Sequence, residues 1–199
     1  MIARFILAGL FSALLAGSLN AQGLTLQEIS AYLNSIRTAK ARFVQINDDG
    51  SRSVGELMIL RPGRMRFDYD APDDSLVIAG QGLVAIFDAR SNEPPQKFQL
   101  ANTPLKLILA SDIDLTREKM VVGHGFDGAE TIVTAQDPKH PDYGAIRIHF
   151  APGPSLSRWT VIDGSGAQTT VALEGLETGM RIPARLFDTG AALEELGFD

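Results

Sequence analysis

Gly55-Glu56-Leu57-Met58-Ile59-Leu60-Arg61-Pro62-Gly63-Arg64-Met65-Arg66-Phe67-Asp68-Tyr69-Asp70-Ala71-Pro72 carries the clearest structural signal in the chain. In its second arm Met65, Phe67 and Tyr69 alternate with Arg64, Arg66 and Asp68, so one face is apolar and the other solvated, as in an antiparallel sheet that is wet on one side. Pro62-Gly63 supplies the turn of a β-hairpin. On the first arm, counting in twos places Leu57, Ile59 and Arg61 on one face, so a lone cation stands in line with apolar side chains. Two readings of Arg61 are open. The guanidinium bends out to solvent at the strand end, or it is held indoors by carbonyl or carboxylate acceptors, and the second reading makes it functional.

Before the hairpin, Thr25-Leu26-Gln27-Glu28 is a capping box, and Leu26, Ile29, Leu33 and Ile36 follow at helical spacing, which predicts a helix over about Leu26 to Arg37 with one apolar stripe. Phe43-Val44-Gln45-Ile46 then reads as strand, with a turn at Asn47-Asp48-Asp49-Gly50. After the hairpin, strands are expected at Ser75 to Ala79, Leu83 to Asp88 and Lys97 to Leu100. The period then changes. Asn102-Thr103-Pro104 offers a cap and a proline at the first helical position, so Leu105 to Ala110 should be a short, very apolar helix. Five further strands are expected at about Lys119 to Phe126, Ala129 to Ala135, Gly144 to Phe150, Leu156 to Asp163 and Gln168 to Leu176, and Ile146, Ile148 and Phe150 repeat the pattern of one apolar face. About ten strands with two or three helices is a mainly β (α+β) chain. Helices cannot cover both faces of so much sheet, so a single antiparallel sheet should curl round them as a barrel or an unclosed half-barrel.

The 199 residues, 45% of them apolar, suit one globular unit. Arg4, the apolar run from Phe5 to Leu15 and Ala16-Gly17-Ser18-Leu19-Asn20-Ala21 have the three-part layout of a secretory signal, so residues 1–21 are expected to be removed and 22–199 to form the mature domain. Zero cysteines exclude disulfides and thiol chemistry. Removing the leader takes one Arg and no acid, so 18 − 1 = 17 cations face 24 anions, about −7. Such a surface repels nucleic acid and anionic headgroups and favours a partner with a basic face. Asp137, His140 and Asp142 crowd one loop, but a solvated turn explains them better than a metal site; neither a nucleophile elbow nor a phosphate loop is present. No cofactor, metal or catalytic residue is expected.

Phe43-Val44-Gln45, Gly55-Glu56-Leu57, Arg61-Pro62, Phe67 with Tyr69 and Pro72, and Asn102-Thr103-Pro104-Leu105 with the apolar helix behind it follow one another in an order and approximate spacing that resemble the periplasmic outer-membrane lipoprotein carriers of the LolA family. The resemblance implies an unclosed antiparallel half-barrel whose apolar concave face is lidded by helices and receives the acyl chains of lipoproteins. It implies no enzyme, but a monomeric carrier in the periplasm, loaded by an inner-membrane lipoprotein-releasing ABC transporter and unloaded by an outer-membrane receptor. The cavity wall expected from alternation and resemblance together is Leu57, Ile59, Met65, Phe67 and Tyr69, with Leu105 and Ile108 from the lid helix that starts at Asn102, Thr103 and Pro104. Arg61 is expected to latch that lid, because a short helix leaves terminal carbonyls without partners inside itself. The alternatives are a lipid- or lipoprotein-sensing envelope regulator on the same scaffold and a carrier of other lipids.

Overall fold

The computed structural model describes residues 23–88, 91, 93–103 and 105–196. The expected leader and Pro104 lie outside the described residues. The elements are α1 (Leu26–Ser35), β1 (Thr38–Ile46), β2 (Arg52–Leu60), β3 (Arg64–Tyr69), β4 (Leu76–Gly80), β5 (Leu83–Phe87), β6 (Gln96–Gln99), α2 (Lys106–Leu109), β7 (Val121–Phe126), β8 (Thr131–Gln136), β9 (Ala145–Ala151), β10 (Ser155–Ile162), β11 (Gln168–Thr178) and α3 (Thr189–Leu196), with 3-10 turns at Leu100–Asn102, Pro141–Tyr143 and Ala184–Phe187.

All eleven strands lie in one antiparallel sheet, ordered β6-β5-β4-β3-β2-β1-β11-β10-β9-β8-β7. The edges β6 and β7 are not paired with each other, so the sheet is a half-barrel rather than a closed barrel. Each wing is a meander of neighbours in sequence, and the two are joined by β1 against β11, from Ala39 opposite Thr178 to Ile46 opposite Thr170. In the hairpin, Leu57 faces Phe67 and Ile59 faces Met65, and burial alternates along both arms. Gly55 sits opposite Phe43 and Tyr69. A Cβ there would lie 2.1 Å from the Asp68 carbonyl oxygen and 2.6 Å from the Phe43 ring, so glycine is what lets that ring lie against the strand.

The capping box of α1 is formed. The Glu28 amide donates to Thr25 Oγ1 at 3.2 Å and the Thr25 amide to Glu28 Oε2 at 2.8 Å. Ile29 and Leu33 face the sheet, and the helix stops at Ser35, short of the expected Arg37, because Ile36 is extended and its amide bonds to the Leu33 carbonyl at 3.2 Å. The second helix also differs from the sequence expectation. Asn102 ends a 3-10 turn, the Thr103 hydroxyl donates back to the Leu100 carbonyl at 2.9 Å instead of capping anything downstream, and α2 starts at Lys106 with no side-chain cap. Local back-bonding by a threonine competes with capping in this way.

Two apolar clusters result, one on each side of the sheet. The larger fills the concave side and takes residues from α1, α2 and both wings. The smaller lies outside, where Phe187 and Ala192 of the C-terminal segment cover Leu76, Ile78, Ala85 and Phe87.

Candidate functional site

On the concave side, Leu57, Ile59, Met65 and Phe67 are buried, and Tyr69 is packed against the same cluster. Phe43 joins them edge-on, with ring centroids 5.3 Å from Phe67 and 5.0 Å from Tyr69. Trp159, on β10, reaches Phe67 from the other wing at 6.2 Å and is only 2% exposed. Edge-to-face pairs of this kind add about 0.5–1.5 kcal/mol each beyond their area. The Tyr69 hydroxyl donates to Gln45 Oε1 at 2.7 Å, and burial, with Asp73 nearby, pushes its pKa up to about 12. Ile108, on α2, is buried, and Leu105 is half-buried just before the helix. All seven expected wall residues therefore share one helix-covered apolar face. Sequence alternation gave no way to place Trp159 on it, because alternation names a face without naming the strands that curl towards each other.

Arg61 follows the end of β2 and is 5% exposed. Its five N–H groups make five hydrogen bonds to four acceptors: Nε and one terminal nitrogen donate to the Ala110 carbonyl at 3.0 and 2.6 Å, and the second donor of that nitrogen to Asn34 Oδ1 at 3.3 Å. The other terminal nitrogen donates to the carbonyls of Leu33 and, at 3.1 Å, Ile36. The solvent-facing reading is excluded. The acceptors are carbonyls and an amide rather than a carboxylate, and two of the carbonyls sit at the C-terminal end of α1, where the helix dipole favours a cation. Burial lowers the Arg61 pKa, and Arg37 adds repulsion, but a guanidinium stays charged in a protein. The same turn holds α2 through its backbone, since the Gly63 amide donates to the Leu109 carbonyl at 2.8 Å. Gly63 can do so with φ at +71°, a conformation that favours glycine. The short helix thus supplies acceptors, as its sequence suggests. The contacts with α1 were legible only in the absence of a glycine stop after Ser35, which leaves its last carbonyls open.

Residues 111–118, whose Asp112, Asp114 and Glu118 read in sequence as a helix end and its solvated start, run from α2 across to α1. Asn34 forms a reciprocal pair with the Ile113 backbone, donating to its carbonyl at 2.8 Å and accepting from its amide at 3.0 Å. The Leu115 amide donates to Ser30 Oγ at 2.9 Å, and Arg37 donates to the Ser111 carbonyl at 3.2 Å. Helices α1 and α2 and this strap are therefore stitched into one cover. Beside α2 the cover leaves a cavity of about 530 Å³.

The loop of Asp137, His140 and Asp142 is an exposed turn, in which Asp137 Oδ1 accepts from the Lys139 amide at 2.9 Å and His140 stacks on Tyr143 at 4.6 Å. Among the described residues no helix is long and apolar enough to cross a membrane.

An open antiparallel half-barrel with a helix-covered apolar groove defines the fold class. The chain belongs to the LolA family: the family model described as outer membrane lipoprotein carrier protein LolA matches residues 34–189. It is similar to the outer-membrane lipoprotein carrier protein of Pseudomonas paraeruginosa, 28% identical over 171 residues and covering 81% of each chain. It is also similar to that of Coxiella burnetii, 25% identical over 191 residues and covering 92% of this chain and 90% of the other. Among solved structures, it resembles a LolA superfamily protein from Nitrosomonas europaea, at 9% identity and a TM-score of 0.40 over 84% of this chain and 99% of that one. A DUF1329 family protein from Desulfovibrio piger gives 12% identity and a TM-score of 0.47 over 83% and 95%.

Proposed function

We propose that this chain is a periplasmic lipoprotein carrier: exported by a leader spanning residues 1–21, it takes up the acyl chains of lipoproteins released by an inner-membrane ABC transporter and hands them to an outer-membrane receptor. Family membership and the naming of its relatives as outer-membrane lipoprotein carrier proteins support the cargo. Physics supplies the need, because burying one methylene is worth about 0.8 kcal/mol and one 16-carbon chain in water costs on the order of 12 kcal/mol. The concave face offers the matching surface, and the role asked of the chain is binding and release without a catalytic step.

The observation that carries this reading is Arg61, a buried cation with every donor spent on the cover of an apolar groove. A carboxylate partner would hold the guanidinium more strongly, whereas helix-end carbonyls and an amide exchange it for water more readily when the cover lifts. The closed, empty state is held by these bonds, and arriving chains must displace them. A cover that prefers the empty groove gives up its cargo readily, so transfer to a receptor that binds more tightly runs downhill. The excess of acid over base favours a receptor with a basic face.

The test is Arg61→Leu, measured by lipoprotein release from inner-membrane vesicles followed by transfer to receptor. Each hydrogen bond to a charged group is worth about 1.5–3 kcal/mol, so losing even one favours the open, loaded state by tenfold or more. The variant should load and then stall. Transfer at the unmodified rate would remove the latch.

A further inference from the structure

The apolar side chains under the helices are buried in one cluster, and at its margin, beside α2, a cavity stays open; we propose that it is a subsite for a single hydrocarbon chain with a neutral polar end. On the carrier reading, it is the first contact an acylated molecule makes while the cover is still latched. Its walls are Leu100, Leu107, Leu109, Ile113 and Leu115, with the β4–β5 turn at Gly82 behind them. At about 530 Å³ it falls within the usual range of small-molecule pockets, so it suits one chain and not the several of a whole lipoprotein anchor. Its rim carries Lys106 against Asp112, Asp114 and Glu118, which sets it against an anionic end and in favour of an ester or amide.

Most of this lining belongs to the cover. Ala110 lines the cavity and also supplies the carbonyl that accepts from Arg61 twice. Ile113 and Leu115 line it and are the strap residues pinned to Asn34 and Ser30. A chain lying in the cavity therefore presses on the segment that Arg61 holds. Filling the subsite moves Ala110 off Arg61, and the groove opens to a molecule already engaged rather than to water.

Ala101 lines the cavity from the 3-10 turn, is exposed and lies outside the Arg61 network, so Ala101→Phe should fill the site without touching the latch. The probes are a length series of fluorescent monoacylglycerols and a synthetic diacylglyceryl-cysteinyl peptide. The unmodified chain should bind one monoacylglycerol, with affinity that rises with length and then levels, and should bind the matching fatty-acid anion more weakly. Ala101→Phe should weaken that binding by about tenfold or more. Leu115→Ala, which enlarges the site, should move the plateau to longer chains. Because the chain has no cysteine, a dye on Ser111→Cys reports movement of the cover, and it should respond to monoacylglycerol in the otherwise unmodified chain and stay silent with Ala101→Phe added. Unchanged affinity in Ala101→Phe with an unmoved plateau in Leu115→Ala, or a dye that ignores bound probe, overturns the subsite. If the lipopeptide loads while monoacylglycerols do not bind, this proposal alone falls; if neither binds, the carrier reading falls with it.

Discussion

Two arginines of one hairpin, Arg61 and Arg66, hold helical segments on opposite sides of the same sheet, and they do it differently. Arg61 spends all its donors on carbonyls and one amide of α1 and α2. Arg66 pairs with Asp68 through Nε at 2.9 and 2.8 Å and a terminal nitrogen at 2.7 Å, and gives one bond, at 2.9 Å, to the Leu186 carbonyl of the C-terminal segment. On the outer side the fastening is shape rather than charge. Phe187 is 2% exposed in the outer cluster, and its carbonyl oxygen lies so close to Gly80 that a Cβ there would come within 2.3 Å of it. The outer cover is jammed in place, while the inner one is tied by bonds that water can replace.

The largest effect expected from breaking this contrast belongs to Phe67→Asp. A carboxylate among Phe43, Tyr69 and Trp159 costs several kcal/mol, so lipoprotein loading should be lost. Circular dichroism separates loss of loading from loss of fold, and a folded variant that loads normally would mean that the groove has been placed on the wrong face.

Next comes Phe187→Ala on the outer side. Truncating a buried phenylalanine costs about 3–5 kcal/mol, which a shifted denaturant midpoint will record. Loading per folded molecule should be unchanged, because the outer cluster shares no residue with the groove. A parallel fall in loading would show that the outer cover moves with the inner one, and the contrast between them would collapse.

Much of this was legible in the sequence. Strict alternation in Met65, Phe67 and Tyr69 gave a face, and the same alternation stranded Arg61 among apolar residues, which is a question a sequence can pose. The capping box of α1 is local chemistry, and local chemistry can be read. Three features were not legible, each for a physical reason. The pairing of β1 with β11 joins segments more than 100 residues apart, and Trp159 faces Phe67 only because of it. The strap over residues 111–118 is held by side chains of α1, Asn34 and Ser30, which alone look like ordinary polar helix residues. At Asn102 and Thr103, a capping pattern was present but the threonine hydroxyl took a nearer carbonyl.

The smallest predicted effect lies in the C-terminal wing, on the side of β9 opposite Ile148, at His149. This side chain is 9% exposed and faces Glu130, Arg158 and, further off, Asp127. Arg158 donates to His149 Nδ1 at 3.1 Å, so that nitrogen is an acceptor and the proton sits on Nε2; the Glu130 carboxylate takes Arg158 at 2.6 Å and lies 3.4 Å from the ring. Burial, then the Arg158 charge, lower the His149 pKa, and Glu130 and Asp127 only partly oppose them. The folded chain therefore prefers the neutral imidazole, while the unfolded chain takes up a proton near the ordinary value of about 6.5. The stabilising contribution is complete above about pH 6.5, declines as pH falls through that value, and levels off below the lowered folded pKa. One proton sets a ceiling of about 1.4 kcal/mol per pH unit on the slope. Denaturant midpoints taken from about pH 7.5 downwards should show this decline in the unmodified chain and a shallower one in His149→Gln, which keeps a side-chain acceptor for Arg158 and loses the titration. Equal slopes in the two chains would assign the acid sensitivity to other groups. Lipoprotein loading at neutral pH should not change in the variant, because His149 points away from the concave apolar face.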